Sequence, residues 1–241
     1  MILTVPLSPT TPTPVPPTPA WVAPSTYSDL SNFGINHFAS GKDNLAIVNA
    51  SNIPPSAAAS GGDPPLTIND TSIMQLLYPE GSINPGGSPK GGADFYASPL
   101  DISDAWNVTL EYSVFFPEDF DWVKGGKLPG LYGGHRTCSG GDDALNCFST
   151  RLMWRPQGKG ELYLYAPKDK QTHELCSLPP ESVCDSTYGL SIARGSFSYT
   201  PGAWTHLRQT VALNTPGKQD GGFRLEVDDK PVIDRWDVYY R

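Results

Sequence analysis

The stretch STRLMWRPQGKGELYLYA, residues 149–166, sets two short segments of alternating character around a joint of one proline and two glycines. Segments of that length, rich in aromatic and branched residues and split by a turn signal, predict a β-hairpin with a slightly long loop. Side chains alternate across a strand, so Ser149, Arg151, Met153 and Arg155 share one face. On the partner strand Tyr163 and Tyr165 share a face, while Leu162 and Leu164 point the other way. A register that pairs Arg155 with Glu161 places Arg151 opposite Tyr165 and Met153 opposite Tyr163. The leucines, with Leu152 and Trp154, then line a core between two sheets. The arginines and tyrosines line the outer face.

Outward from this hairpin the same pattern continues. LAIVNA (45–50), WNVTLEYSVFF (106–116), WTHLRQTVALN (204–214) and GGFRLEVDDKPVIDRWDVYY (221–240) are short, β-rich and separated by Gly, Pro, Asp and Asn. No segment reads as a helix of several turns, and no internal repeat is present. Many short strands with turn signals between them predict an all-β fold, a jelly roll of two antiparallel sheets forming a sandwich with a concave groove. Trp204 and Trp236 are expected as core anchors rather than sugar platforms.

The 241 residues suffice for one full-size domain. Residues 1–28, with the proline-threonine tract PLSPTTPTPVPPTPAWVAPS, read as an extended tail or linker, and residues 29–241 as the folded domain. A second low-complexity patch covers 52–65.

A net charge of −8 argues against nucleic-acid binding. Charge is unevenly spread, however. Residues 122–160 hold six cations (Lys124, Lys127, Arg136, Arg151, Arg155, Lys159) against Asp142 and Asp143, a local +4 within a remainder of −12. Such an island suits a polyanionic partner. No apolar run approaches the ~18 residues of a membrane span, so no membrane partner is expected.

Cys138, Cys147, Cys176 and Cys184 fit no common zinc spacing, and the expectation is two local disulfides, 138–147 and 176–184. Three glycosylation triplets, at Asn49, Asn69 and Asn107, join them in predicting a secreted protein.

Arginine, lysine and tyrosine on one face, without a carboxylate pair, exclude the usual glycoside hydrolase. No zinc ligand set is present, and His135, His173 and His206 show no relay partners. β-Elimination on a uronic acid polymer fits this set. It needs a cation to steady charge on the substrate carboxylate, a base for the C5 proton and an acid for the leaving O4. Tyrosine can serve as both if nearby cations lower its pKa from about 10.

GGKLPGLYGG (125–134), followed by STRLMWR and ELYLYAP, resembles polysaccharide lyase family 14, which contains alginate lyases and β-1,4-glucuronan lyases on a β-jelly roll. The resemblance runs from about residue 33 to the C-terminus. It implies that Lys127 and Arg151 neutralise the substrate carboxylate. The Tyr163/Tyr165 pair would transfer protons, with Tyr165 favoured, and Ser149 would orient the sugar. His135, Arg136 and Arg155 are expected as further substrate-binding residues. The glycines are expected to let a sugar chain pass close to the backbone. No metal or cofactor is expected, and a monomer is. Family members continue past the DVYYR position, so the resemblance also implies a fragment or a rearranged end. Glucuronan is expected as the first substrate and alginate, as polymannuronate, as the second. The alternatives are a non-catalytic carbohydrate-binding jelly roll and a structural glycoprotein with a vestigial motif.

Overall fold

The computed structural model describes residues 19–52, 71–83 and 87–241. The triplet at Asn69, the tract before residue 19 and nearly all of the 52–65 patch lie outside them. The strands are β1 (Ile35–Ser40), β2 (Leu45–Asn49), β3 (Ser72–Leu76), β4 (Asp94–Ala97), β5 (Asn107–Phe115), β6 (Gly126–Lys127), β7 (Tyr132–Gly133) and β8 (Phe148–Trp154). There follow β9 (Lys159–Tyr165), β10 (Leu190–Ser198), β11 (Trp204–Ala212), β12 (Gly221–Val227) and β13 (Lys230–Val238). The one α-helix among the described residues is a four-residue turn, α1 (His173–Cys176), capped by the Thr172 hydroxyl, which accepts from the Leu175 amide at 3.1 Å. No helix among the described residues is long and apolar enough to cross a membrane.

Two antiparallel sheets carry the fold. One runs β10-β9-β8-β6, with β7 also on β8, and the other runs β13-β12-β11-β5. Smaller pairs, β1–β4 and β2–β3, complete it. The alternation in β5 explains its orientation, because every second residue from Val108 to Val114 is turned inward while Asn107, Thr109, Glu111 and Ser113 face water. Leu152, Trp154, Leu162, Leu164, Leu190 and Ile192 from the first sheet pack against Leu207, Val211, Phe223, Leu225 and Ile233 from the second. This is the jelly-roll sandwich expected, with the hairpin leucines in the inter-sheet core. One polar contact crosses that core. The Thr150 hydroxyl donates to Gln209 Oε1 at 2.8 Å, both residues fully buried.

The hairpin register differs from expectation by two residues. Arg151 pairs with Tyr163, Ser149 with Tyr165 and Met153 with Glu161. The cause is the turn. Pro156, Gln157 and Gly158 form a single 3-10 turn in which Gln157 and Gly158 both take positive φ, so β9 already begins at Lys159. A shift of two preserves facing, so the arginine and tyrosines still share the outer side.

Both disulfides form as expected, Cys138–Cys147 and Cys176–Cys184. Trp236 is a correction. It lies exposed on the outer face of the second sheet, where the absent side chain of Gly222 leaves room for its ring. Trp204 is half-buried against Phe115. Asn49 and Asn107 are both exposed. Residues of the expected tail make contacts, Trp21 and Tyr27 with the Phe33 ring and the Ser25 carbonyl with the Ser72 amide.

Candidate active site

Three rows of side chains cross the outer face of the first sheet. Tyr132, Ser149 and Tyr165 form one row, Arg151 and Tyr163 the next, and Lys127, Met153 and Glu161 the third. The glycine-rich segment makes this possible by lying flat against β8. A Cβ at Gly126 would sit 2.0 Å from the Trp154 ring, and one at Gly130 would sit 2.5 Å from the Arg151 backbone. The glycines therefore admit the protein's own strand rather than a sugar chain, which corrects the expected reason for them. Their consequence is that Lys127 is delivered opposite Met153.

Arg151 is the centre of the arrangement. Its guanidinium lies 5.6 Å from the Tyr132 ring centre, 5.9 Å from Tyr165 and 6.0 Å from Tyr163. Lys127 Nζ lies 5.6 Å from the same Tyr163 ring, and the Arg155 guanidinium 5.7 Å. Arg151 is 8% exposed, yet its Nε and Nη2 have no hydrogen-bond partner. A buried guanidinium with two idle donors is costly unless an anion completes it. Lys127 is exposed. Its ammonium is held below the usual lysine range, first by desolvation and then by Arg151 and Arg155, with Asp94 opposing.

The Tyr163 and Tyr165 hydroxyls are each steadied from the backbone. Gly141 donates its amide to Tyr165 Oη at 3.1 Å, and Gly189 donates to Tyr163 Oη at 3.2 Å. The two rings meet edge to face at 5.6 Å. Burial, followed by Tyr165, pushes the Tyr163 phenol up to about 12, and the Gly189 amide and Arg155 only partly offset it. The expected lowering by neighbouring cations thus fails at Tyr163, because desolvation outweighs their attraction. Burial therefore works against a phenolate at Tyr163.

Three other expected residues find different surroundings. Ser149 is fully buried, and its hydroxyl donates to the Cys138 carbonyl at 2.9 Å, so it holds the disulfide loop. His135 and Arg136 are exposed just before that loop, with His135 turned toward the Arg136 carbonyl and, at 3.9 Å, Asp142. His206 and His173 also have partners, Glu111 and Ser177. His135, Asp142 and Cys147 converge as metal-ligating types, but the Cys147 sulfur is committed to its disulfide.

The sequence reading passed over Glu161. It is fully buried on this face, one oxygen bound by Arg155 Nη2 at 2.5 Å and the other by Ser191 Oγ at 2.6 Å and Arg194 Nε at 2.8 Å. Its alternation with Tyr163 and Tyr165 was the available signal. With both oxygens occupied it is not a free general base.

An all-β sandwich whose outer face gathers cations and tyrosines offers a surface of the kind that suits acidic polymers. The comparisons make this specific. The family model Polysaccharide lyase 14 matches residues 67–241, and the chain belongs to that family; it is a polysaccharide lyase. The marine alginate lyase of the same family from Aplysia kurodai is 29% identical over 88% of this chain and 77% of its own, with a TM-score of 0.67. A Chlorella virus alginate lyase is 26% identical over 72% of this chain and 71% of its own, with a TM-score of 0.60. The fungal endo-β-1,4-glucuronan lyase of Trichoderma reesei is 13% identical over 86% of this chain and 73% of its own, at 0.48. No curated protein sequence matches the chain.

Proposed function

We propose that the chain cleaves β-1,4-linked uronic acid polymers by β-elimination, leaving 4,5-unsaturated uronate ends. The observation that carries this reading is the buried Arg151 guanidinium with two unpartnered donors, set among three tyrosine rings beside Lys127. Arg151 and Lys127 would take the substrate carboxylate, so that charge arriving there as the C5 proton leaves is stabilised. Tyr165 would accept the C5 proton as its phenolate. The C5 electron pair forms the C4–C5 double bond, the C4–O4 bond breaks, and the same hydroxyl returns its proton to O4. The Gly141 amide would steady the Tyr165 oxygen while it is charged, and neutral Tyr163 would donate a hydrogen bond to the sugar.

One group acting as both base and acid requires the C5 proton and O4 on the same side of the ring. Mannuronate and glucuronate chains meet that condition and guluronate does not. The sequence reading put glucuronan first. The Aplysia kurodai and Chlorella virus structures, at 29% and 26% identity, are both of alginate lyases, so polymannuronate becomes the first substrate to test and glucuronan the second. The donor set of this face suits a metal-independent reaction. Two disulfides and exposed acceptor sites at Asn49 and Asn107 support a secreted glycoprotein.

The test is incubation with polymannuronate, glucuronan and polyguluronate, following far-ultraviolet absorbance of the unsaturated product. Absorbance should rise on at least one of the first two and persist with chelator. Binding without new absorbance on any polymer would favour the non-catalytic carbohydrate-binding module.

A further inference from the structure

Beyond Tyr163 the outer face continues into an ion cluster that the elimination chemistry does not use. Glu161 is its centre, and its carboxylate is divided between Arg155, projecting from the end of the β8–β9 hairpin, and Arg194 on β10. A fully buried carboxylate persists only where such partners compensate its lost hydration. The neighbouring strand is deformed to supply one. Between the pairs Ile192–Leu162 and Phe197–Gly160, β10 has four residues where β9 has only Glu161. Within this bulge Ala193 is fully buried at φ 53°, a conformation that non-glycine residues rarely adopt, and Gly195 takes φ 84°. The Arg194 amide is held by the Glu181 carbonyl at 2.7 Å, and its guanidinium reaches Glu161 Oε2 and Ser191 Oγ.

Arg194 is thereby saturated with partners. Arg155 is not. It bonds Glu161 through Nη2, its buried Nε has no partner, and a quarter of its side chain is exposed. Its guanidinium and that of Arg151 lie 5.7 Å and 6.0 Å from the Tyr163 ring centre, so the two are less than about 12 Å apart, one beyond the other along the face. A neighbouring sugar of the same extended chain falls within that reach.

We propose that Arg155 forms a second uronate-carboxylate subsite at the hairpin end of the groove, and that Glu161 is the positioning residue that holds it there, with the Arg194 bulge as its counterweight. This rests on the uronan-lyase reading and deepens it. The centre at Arg151 takes the sugar being cleaved, while Arg155 takes the carboxylate of a sugar further along the same chain. The subsite makes the protein prefer longer chains. Without Glu161 the Arg155 guanidinium has no fixed position and the preference goes with it.

The experiment is calorimetric binding of a trimeric and a hexameric oligomannuronate, in a Tyr165→Phe background that prevents cleavage. The hexamer should bind more tightly than the trimer. Arg155→Ala should cost the hexamer about tenfold in affinity, the scale of one charged hydrogen bond, and leave the trimer within about twofold. Glu161→Gln should reproduce that pattern if it folds. Arg155→Ala, at a part-exposed position, decides the question if Glu161→Gln does not fold. Arg155→Lys should fall between, since it keeps the charge but not the fork. Equal losses for both lengths, or none for the hexamer, would overturn the subsite. If the otherwise unaltered protein yields no unsaturated product while the length-dependent loss persists, the elimination reading fails and the subsite stands.

Discussion

The Gly141 amide and the Tyr165 hydroxyl meet at 3.1 Å, a contact that ties the disulfide loop to the strand bearing both tyrosines. Gly141 lies between Cys138 and Cys147, and the Cys138 carbonyl is bound in turn by Ser149. Replacing Cys138 and Cys147 by serine should lower kcat by about 10²-fold, the lower end of what loss of one oxyanion-type donor costs. The change in KM should be small, with turnover measured well below the melting temperature. An unaltered kcat would show that this contact does not assist the reaction.

Tyr165→Phe removes only the hydroxyl proposed to carry the proton. Turnover should fall by about 10²–10⁴-fold while polymer binding is retained. Tyr163→Phe should do less damage, because it removes a hydrogen-bond donor to the sugar and not the group proposed to carry the proton. Steady-state kinetics beside calorimetric binding check both. A larger loss at Tyr163 than at Tyr165 would reverse the assignment.

Lys127 supplies a prediction with a sign. Its ammonium titrates below the ordinary lysine value because of burial, Arg151 and Arg155, while Asp94 pulls it back up. Activity that needs the charged form should therefore decline on an alkaline limb below that value. Asp94→Asn should move the limb to lower pH and Arg155→Ala to higher pH. Limbs that move together, or not at all, would exclude Lys127 as the group observed. Lys127→Ala should weaken both binding and turnover.

Stability should fall in strongly alkaline solution. Tyr163 and Tyr78 are raised by burial to about 12, and Tyr112, Tyr199 and Tyr240 are raised as well. A phenol whose folded value exceeds its unfolded value of about 10 favours the folded state fully below about pH 10. That contribution is lost as pH rises through the folded value. Urea midpoints should hold steady to near pH 10 and then drop, and Tyr163→Phe should soften the drop.

Much of the fold was legible because its signals are local. The alternation in 149–155 and 161–165 identifies two strands and assigns the leucines to the core, and period-two facing survives a two-residue register error. The register itself was not legible, since it depends on Gln157 accepting positive φ within a three-residue turn. The role of the glycines was misread for a related reason. What fills the space above Gly126 is the Trp154 ring, a residue 28 positions away. Ser149 and Glu161 followed the same rule. Their facing was readable, but not that one bonds Cys138 and the other is shared by two arginines, because those partners arrive from separate strands and loops.

By itself, then, the sequence determined the class of fold, which side chains share a face, the cysteine pairing and the chemical inventory of cations and phenols. These follow from period, spacing and residue type, all short-range properties of a chain. Tertiary structure alone decided which donors remain unpaired, how far burial raises each phenol and where the β10 bulge delivers Arg194. Those depend on desolvation and on contacts between segments far apart in the chain, which only folding brings together.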